Sequence, residues 1–396
     1  MSDHLMTTYA RLPVTFTRGE GSWLWDENDK KYLDALTGIA VCGLGHANKA
    51  VAKRISEQAQ TLVHTSNLYG IANQKLLGDK LCDLSGMDNV FFANSGAEAN
   101  EAAIKLARLF GHKKGIDKPV IAVMDNSFHG RTLATLSATG NRKVQAGFEP
   151  LVQGFARFPF GDIEALEAAA KNDPNIVAVL LEPVQGESGI RVPEEDYLNK
   201  IRQLCDEKNW LMILDEIQTG MGRSGSMFAF QHNGITPDIM TLAKGLGNGV
   251  PIGACLAQGE AASLFAPGNH GSTFGGNPLV CAAGLAVIEE LENNDLVDRA
   301  NELGNALIEA FNQELGHLDA VKEIRGLGLL IAIELNHNCT ELVKTALDNG
   351  LLINVCSNSS IRLLPALTMT DEEAEILVNK LSDLIRTFAS QQQNAA

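Results

Sequence analysis

No apolar run in the 396-residue chain approaches the roughly 18 residues needed to span a bilayer. The opening segment MSDHLMTTYARLPV also has no hydrophobic stretch of the signal-peptide kind. A cytoplasmic protein with no membrane partner is expected. Basic residues are scarce beside acidic ones, 32 Lys and Arg against 48 Asp and Glu, a formal net charge of −16. That balance repels phosphodiester backbones and anionic lipid, so no nucleic-acid partner is expected. Cysteine is sparse and unpaired in pattern: Cys42, Cys82, Cys205, Cys255, Cys281, Cys339 and Cys356 are odd in number and include no C-x-x-C. This argues against a disulfide framework or a structural zinc site, and for a reducing compartment with no bound metal. No internal repeat and no Pro/Ser-rich linker is present.

What the chain does have is a large apolar fraction, 45% of residues, and 37 glycines, enough for a sizeable core with many tight turns. Short apolar runs recur at Val90–Ala93, Val120–Met124, Ile176–Leu181, Leu211–Leu214, Ile239–Ala243 and Ala254–Ala257. They are continuous rather than alternating, and helix-like segments lie between several of them, as in the buried strands of a mostly parallel α/β sheet. The expected organisation is a large domain over residues 51–285 and a smaller α+β domain over 286–396, to which residues 1–50 contribute. Residues 321–335, 351–355 and 361–364 read as strands. Thr370 and Glu373 form a capping box opening a helix whose apolar stripe is Leu377, Leu381, Leu384, Ile385 and Phe388. The polar tail SQQQNAA is expected to fray.

Five of the runs end in polar or glycine-bearing clusters: NSGAEAN, DNSFHGR, EPVQGESG, DEIQTG and KGLGNG. Open parallel sheets bind ligands beyond the carboxyl ends of their strands, so the five clusters are expected to meet in one crevice. Ser95 and Glu98 form a second capping box ahead of a strongly helical stretch. Its free N–H groups at Gly96 suit an anion, although an ordinary capped helix has the same pattern. Lys244 follows an apolar run and precedes Gly-Leu-Gly. Such a buried lysine loses pKa and becomes a nucleophilic amine, unless it merely snorkels to water.

Asp215 and Glu216 put two carboxylates where the sheet meets the crevice, on opposite faces of the strand. One needs a cation. A pyridinium nitrogen fits, and so does Mg²⁺, although the G-x-x-x-x-G-K-[ST] loop expected beside a nucleotide-bound Mg²⁺ occurs nowhere. Phe128 offers a face for a flat heterocycle, and Arg131 and Arg362 are guanidinium candidates for carboxylates, Arg362 equally for a structural ion pair. His129 reads as a packed neighbour. A dinucleotide-dependent oxidoreductase would need a G-x-G-x-x-G turn after an early strand, and Gly245-x-Gly247-x-Gly249 has the wrong spacing and lies late.

In this order, the helix-capped anion cup, aromatic cover, strand-end aspartate and lysine resemble fold-type I pyridoxal-phosphate enzymes. The sequence is similar to the class III, ornithine-type aminotransferases over effectively its whole length. The likeness runs through SGAEANEAAIKLAR, SFHGRTLATLSATG, LLEPVQGESG, DEIQTGMGRSG, AKGLGNGVPIG, GSTFGGNP and IRLLPALT. It implies a mostly parallel seven-stranded sheet in the large domain, pyridoxal 5'-phosphate as cofactor and a homodimer with shared active sites. Lys244 would bind the cofactor covalently and shuttle a proton. Asp215 would pair with the ring nitrogen, with Gln218 on the ring hydroxyl and Glu216 and Ile217 in the same segment. Gly96 and Ala97 would hold the phosphate, Phe128 would cover the ring, and Thr273 would complete the phosphate site from the other subunit, with Ser272 near the substrate.

Arg131 would take the substrate's distal carboxylate and Arg362 the α-carboxylate of 2-oxoglutarate. Glu187 would pair with Arg362 whenever the diamino donor is bound. Tyr9 matches a substrate-contacting tyrosine and is equally consistent with packing. Segments NSFHGRTL, FAFQHNGITPDI and HGSTFGGNPL are most similar to the branch that transfers the δ-amine of N2-acetyl-L-ornithine to 2-oxoglutarate. Succinylornithine, N-succinyl-diaminopimelate, ornithine and 4-aminobutyrate remain open as alternative donors. The chain departs from the family pattern at Ala47-Asn48-Lys49 and at Asn248.

Overall fold

The computed structural model describes residues 4–395. The strands, in chain order, are β1 (Phe16–Glu20), β2 (Trp23–Asp26), β3 (Lys31–Asp34), β4 (Asn89–Ala93), β5 (Val120–Met124), β6 (Phe155–Phe158), β7 (Ile176–Leu181), β8 (Leu211–Asp215), β9 (Ile239–Leu242), β10 (Gly253–Ala257), β11 (Val321–Leu327), β12 (Leu330–Leu335), β13 (Leu351–Leu352), β14 (Asn354–Cys356) and β15 (Ser360–Leu363). Seven of them form one sheet in the order β4-β10-β9-β8-β7-β5-β6. All neighbours in it are parallel except at β10, which runs antiparallel to both β4 and β9. Every residue of β7, β8, β9 and β10 is buried, which is why these strands read as unbroken apolar runs. The edge strand β6, Phe-Ala-Arg-Phe, is only half-buried. Its brevity and central arginine hide it from a search for apolar runs.

Helix Gly96–Lys113 packs its face of Ala99, Ala102, Ala103, Leu106 and Ala107 against the sheet. The small side chains let the helix approach closely and hold its N-terminus over the strand ends. Helix Pro278–Asn293 packs against helices Lys49–Thr61 and Ala72–Ser85. Two smaller sheets flank this core, β1-β2-β3-β13 and β11-β12-β15-β14. In the first, β13 pairs parallel to β3, with Leu351 opposite Leu33, so the N-terminal segment is completed by the C-terminal third.

The Thr370/Glu373 box forms in both directions: Glu373 N–H donates to Thr370 Oγ1 and Thr370 N–H to Glu373. Glu373 also accepts from Ser22 and from the Trp23 indole, so one capping side chain ties the last helix to β2. That helix continues through Ala395, beyond the point where the polar tail was expected to fray. Among the described residues, no helix is long and apolar enough to cross a membrane, and the cysteines are all unpaired.

Candidate active site

The carboxyl ends of the central strands open on a cavity of about 380 Å³. All five polar clusters reach it: Asn94–Ala97, Phe128–Arg131, Glu182, Asp215 with Ile217 and Gln218, and Lys244 with Gly249. At its anion end, Ser95 caps helix Gly96–Lys113, its hydroxyl accepting from Glu98 N–H at 3.2 Å. The return arm of the box goes one residue further back than expected, with Glu98 accepting from Asn94 N–H at 2.8 Å. Among the described residues, the N–H groups of Gly96 and Ala97 have no protein acceptor, as first-turn donors do when they await an anion. A neighbouring side chain also approaches the Gly96 backbone closely. A Cβ there would lie 2.6 Å from Ile217 Cδ1, so the glycine makes room for Ile217.

Asp215 ends β8 and is buried, with a full set of donors around it. His129 Nδ1 and Asn100 Nδ2 each lie 2.8 Å from Oδ2, and Ile217 N–H donates to Oδ1 at 3.1 Å. Asn100 is oriented in turn by Thr241 Oγ1 and His129 O. These three neighbours fix the orientation of Asp215 at the cavity edge. His129 therefore holds Asp215 at the cavity wall, and among the described residues its buried Nε2 has no partner.

Lys244 lies two residues past β9, opening a 3₁₀ turn with φ of 44°. A non-glycine residue in this left-handed region is strained, and such strain clusters at functional sites. Removal from water lowers the lysine's pKa, Glu187 opposes that, and Arg362 reinforces it. An uncharged amine is thus more accessible than on an exposed lysine.

Glu187 and Arg362 meet over a separation of 175 residues, Nη1 to Oε1 at 2.6 Å. The arginine side chain is 1% exposed and the glutamate 35%. Burial acts to raise the Glu187 pKa, but the Arg362 charge and hydrogen bond outweigh it and hold the carboxylate below its usual range. Gln218 is buried with Oε1 unpartnered. Phe128 is half-buried, and Arg131 is exposed with its guanidinium 5.6 Å from the Phe128 ring centre.

Glu187 and Arg362 act on Lys244 from beside the cavity, and four further residues singled out from the sequence do not line it in the single chain. Glu216 points away: its carboxylate accepts from Thr219 Oγ1 and from the N–H groups of Ala229 and Phe230. Strand alternation sends it to the face opposite Asp215, and burial pushes it up to about 7. Thr273 is exposed, Ser272 accepts from Asn94 Nδ2 at the rim of a neighbouring groove, and Tyr9 is 74% exposed.

Sequence reasoning missed Glu182, just past β7. It lines the cavity, accepts from Phe128 N–H and Gly186 N–H, and is pushed up to about 7, chiefly by burial. Its only signal was its place at a strand end in LLEP. The literal G-x-G-x-x-G at Gly220–Gly225 was also passed over; it leads into turns rather than a helix and buries Arg223. Both departures from the family pattern have structural work. Asn48 caps helix Lys49–Thr61, and Asn248 bridges Leu44 N–H and Gly45 O.

The class-III aminotransferase profile matches residues 6–385. Acetylornithine aminotransferase of Nitrosomonas europaea is 57% identical over 385 residues, 97% of this chain and 98% of that protein. Its namesake in Methanocaldococcus jannaschii is 48% identical, over 95% and 94%. Among solved structures, ornithine aminotransferase of Toxoplasma gondii superposes with a TM-score of 0.95 at 34% identity, covering 98% of this chain and 94% of that one. Acetylornithine aminotransferase of Elizabethkingia anophelis gives 0.87 at 35%, covering 97% and 96%. With these likenesses across its whole length and a seven-stranded sheet of the fold-type I kind, the chain belongs to the class-III aminotransferases.

Proposed function

We propose that the protein transfers the δ-amine of N2-acetyl-L-ornithine to 2-oxoglutarate, yielding N-acetyl-L-glutamate 5-semialdehyde and L-glutamate, with pyridoxal 5'-phosphate as cofactor. The observation that carries the reading is the pair of buried Arg362 with half-buried Glu187 beside Lys244. Such an arginine can be neutralised for a donor with no carboxylate at its reacting end and freed for a diacid acceptor. The names of the curated relatives at 46–57% identity supply the acetylated donor.

The residues present fit the cofactor. Gly96 and Ala97 N–H would take its phosphate, Phe128 would cover its ring, Asp215 would face its nitrogen, and the orphaned Gln218 Oε1 would accept from its ring hydroxyl. When bound, the cofactor supplies an aldehyde for amines and a protonated ring that draws electrons from the adjacent C–H bond. Lys244, its pKa depressed, would be available as the free amine to hold the aldehyde and, once the substrate amine has displaced it, to carry a proton over the cavity floor. Asp215, held in orientation by its three neighbours, would present a carboxylate to the ring nitrogen and favour its protonated form. Arg131, with no carboxylate partner among the described residues, is free for the donor's α-carboxylate.

The same reading makes the protein a cytoplasmic homodimer. Exposed Leu68, Tyr69 and Phe274 are joined by the Asn67 bonds to Ser272 O and Gly275 O and by the His64–Phe274 ring contact. Buried His64 Nδ1 and Thr65 Oγ1 beside them lack partners. This apolar surface suits a second copy that would bring its Thr273 and Ser272 to the site. Residues 51–285 form the large domain in this reading, with 1–50 and 286–396 forming the smaller one.

The test is a single-turnover screen of the cofactor-loaded protein against acetylornithine, succinylornithine, N-succinyl-diaminopimelate, ornithine and 4-aminobutyrate. Acetylornithine is expected to have the highest specificity constant, and 2-oxoglutarate should then yield glutamate. A higher constant for another donor reassigns the substrate. Failure of all donors removes the reading.

A further inference from the structure

Arg362 carries five N–H groups and no acceptor. Among the described residues, Nη1 donates to Gly186 O at 3.1 Å and Glu187 Oε1 at 2.6 Å, Nη2 donates to Asn354 Oδ1 at 2.9 Å, and buried Nε has no partner. Two of the three acceptors belong to the loop that follows β7. If the Glu187 side chain swings away, Gly186 O still holds Nη1, and among the described residues Nη2 depends on Asn354. Asn354 belongs to a different element. It lies on β14 directly opposite Arg362 on the antiparallel partner β15, where cross-strand side chains share a face. Because arginine can only donate, the Asn354 amide must present its oxygen, and Cys356 Sγ, two residues along, lies 3.2 Å from the same atom.

We infer that Asn354 is a positioning residue for the acceptor step: a neutral, strand-borne acceptor that keeps Arg362 aimed and fully charged while Glu187 gives way to the acceptor's carboxylate. This rests on the transamination reading above. Neutrality is the essential property. A carboxylate at this position would compensate the guanidinium permanently, leaving the donor step intact and weakening diacid binding. An apolar residue would leave the charge in place but free the guanidinium to turn.

The decisive variant is Asn354→Asp, with Asn354→Ala beside it, in the cofactor-loaded enzyme. Two half-reactions are followed separately, acetylornithine as donor and 2-oxoglutarate as acceptor, and glutarate, a non-reacting diacid, is titrated calorimetrically. In Asn354→Asp the acceptor KM and the glutarate Kd should rise roughly tenfold or more, the scale of one charge-assisted partner. The donor half-reaction should stay within about twofold of the parent. In Asn354→Ala the acceptor half-reaction should slow, with a smaller rise in glutarate Kd than in Asn354→Asp. Equal losses in both half-reactions, or an unchanged glutarate affinity, overturn the inference. If Asn354→Asp melts early or loses its far-UV signal, the same split in Asn354→Ala decides. If the parent enzyme turns over no donor, the transamination reading fails, while glutarate affinity still tests the role of Asn354.

Discussion

Replacing Glu187 by glutamine keeps the shape of the side chain and removes its charge, which isolates what the pair with Arg362 contributes. For unit charges about 4 Å apart at an effective dielectric near 20, the attraction is about 4 kcal/mol. One feature of the pair reduces that figure. The glutamate side chain is 35% exposed and so partly screened, whereas the arginine at 1% has lost its water whether or not it is paired. A net effect of about 1–2 kcal/mol is the reasonable expectation, between roughly five- and thirtyfold in an equilibrium constant.

The direction differs for the two substrates. The donor's reacting end carries an amine, so an uncompensated arginine beside it opposes binding and the donor half-reaction should lose affinity. The acceptor's carboxylate no longer competes with Glu187, so its KM should fall. The donor-to-acceptor preference therefore shifts by the product of the two effects, on the order of a hundredfold. Single-turnover measurements on parent and Glu187→Gln, following the absorbance of the lysine-bound cofactor, read both arms directly. A preference ratio that stays within about twofold of the parent, or equal losses in both arms, would falsify the pairing mechanism.

Borohydride reduction of the cofactor-loaded protein should label the peptide containing Lys244 and no other, and Lys244→Ala should lose both label and turnover; mass mapping to a different lysine overturns the assignment. Glu216 makes a pH prediction. Its carboxyl keeps a proton up to about pH 7 in the folded chain, while an exposed one releases it near 4.5, so its contribution to stability is fullest below pH 4.5 and is lost as pH rises towards 7. Glu216→Gln should flatten the fall in melting temperature between pH 5 and 7, and an unchanged slope contradicts the burial argument. Glu334 has the opposite sign. Burial acts to raise it, but Lys322, Arg325 and Arg191 hold it at about 2, so its stabilisation is present above pH 4.5 and fades as pH falls towards 2. Arg325 also donates to Gly189 O and Ile190 O, behind Glu187. Glu334→Gln should therefore cost about 3 kcal/mol and speed hydrogen exchange at residues 187–191, and protection equal to the parent's would count against this coupling.

Much of this molecule could be read from the chain. The apolar runs ending at Leu181, Leu214 and Ala243 are continuous because β7, β8 and β9 are covered on both faces, and that pattern depends only on residues within each run. The clusters at their ends were legible for the same reason, since a strand-end aspartate or a capped helix start is a matter of a few neighbouring positions. Glu216 was harder. That it lies opposite Asp215 followed from alternation, but that it is spent on Thr219, Ala229 and Phe230 required the turn that returns those groups to it. Glu182 was missed because a single glutamate at a strand end looks like any other until burial strips its water.

The sequence by itself determined the six apolar runs that form β4, β5, β7, β8, β9 and β10, the polar clusters at the strand ends and the family likeness, because periodicity, capping and motif spacing are short-range properties. Tertiary structure alone decided which charges face each other. The partnership of Arg362 with Glu187 and Asn354, the pairing of β13 with β3, and the His129 and Asn100 cradle under Asp215 all depend on register and packing between segments far apart in the chain. Burial then sets the consequences, since the same carboxylate or guanidinium behaves differently once its water is gone and its only partners are those the fold brings to it.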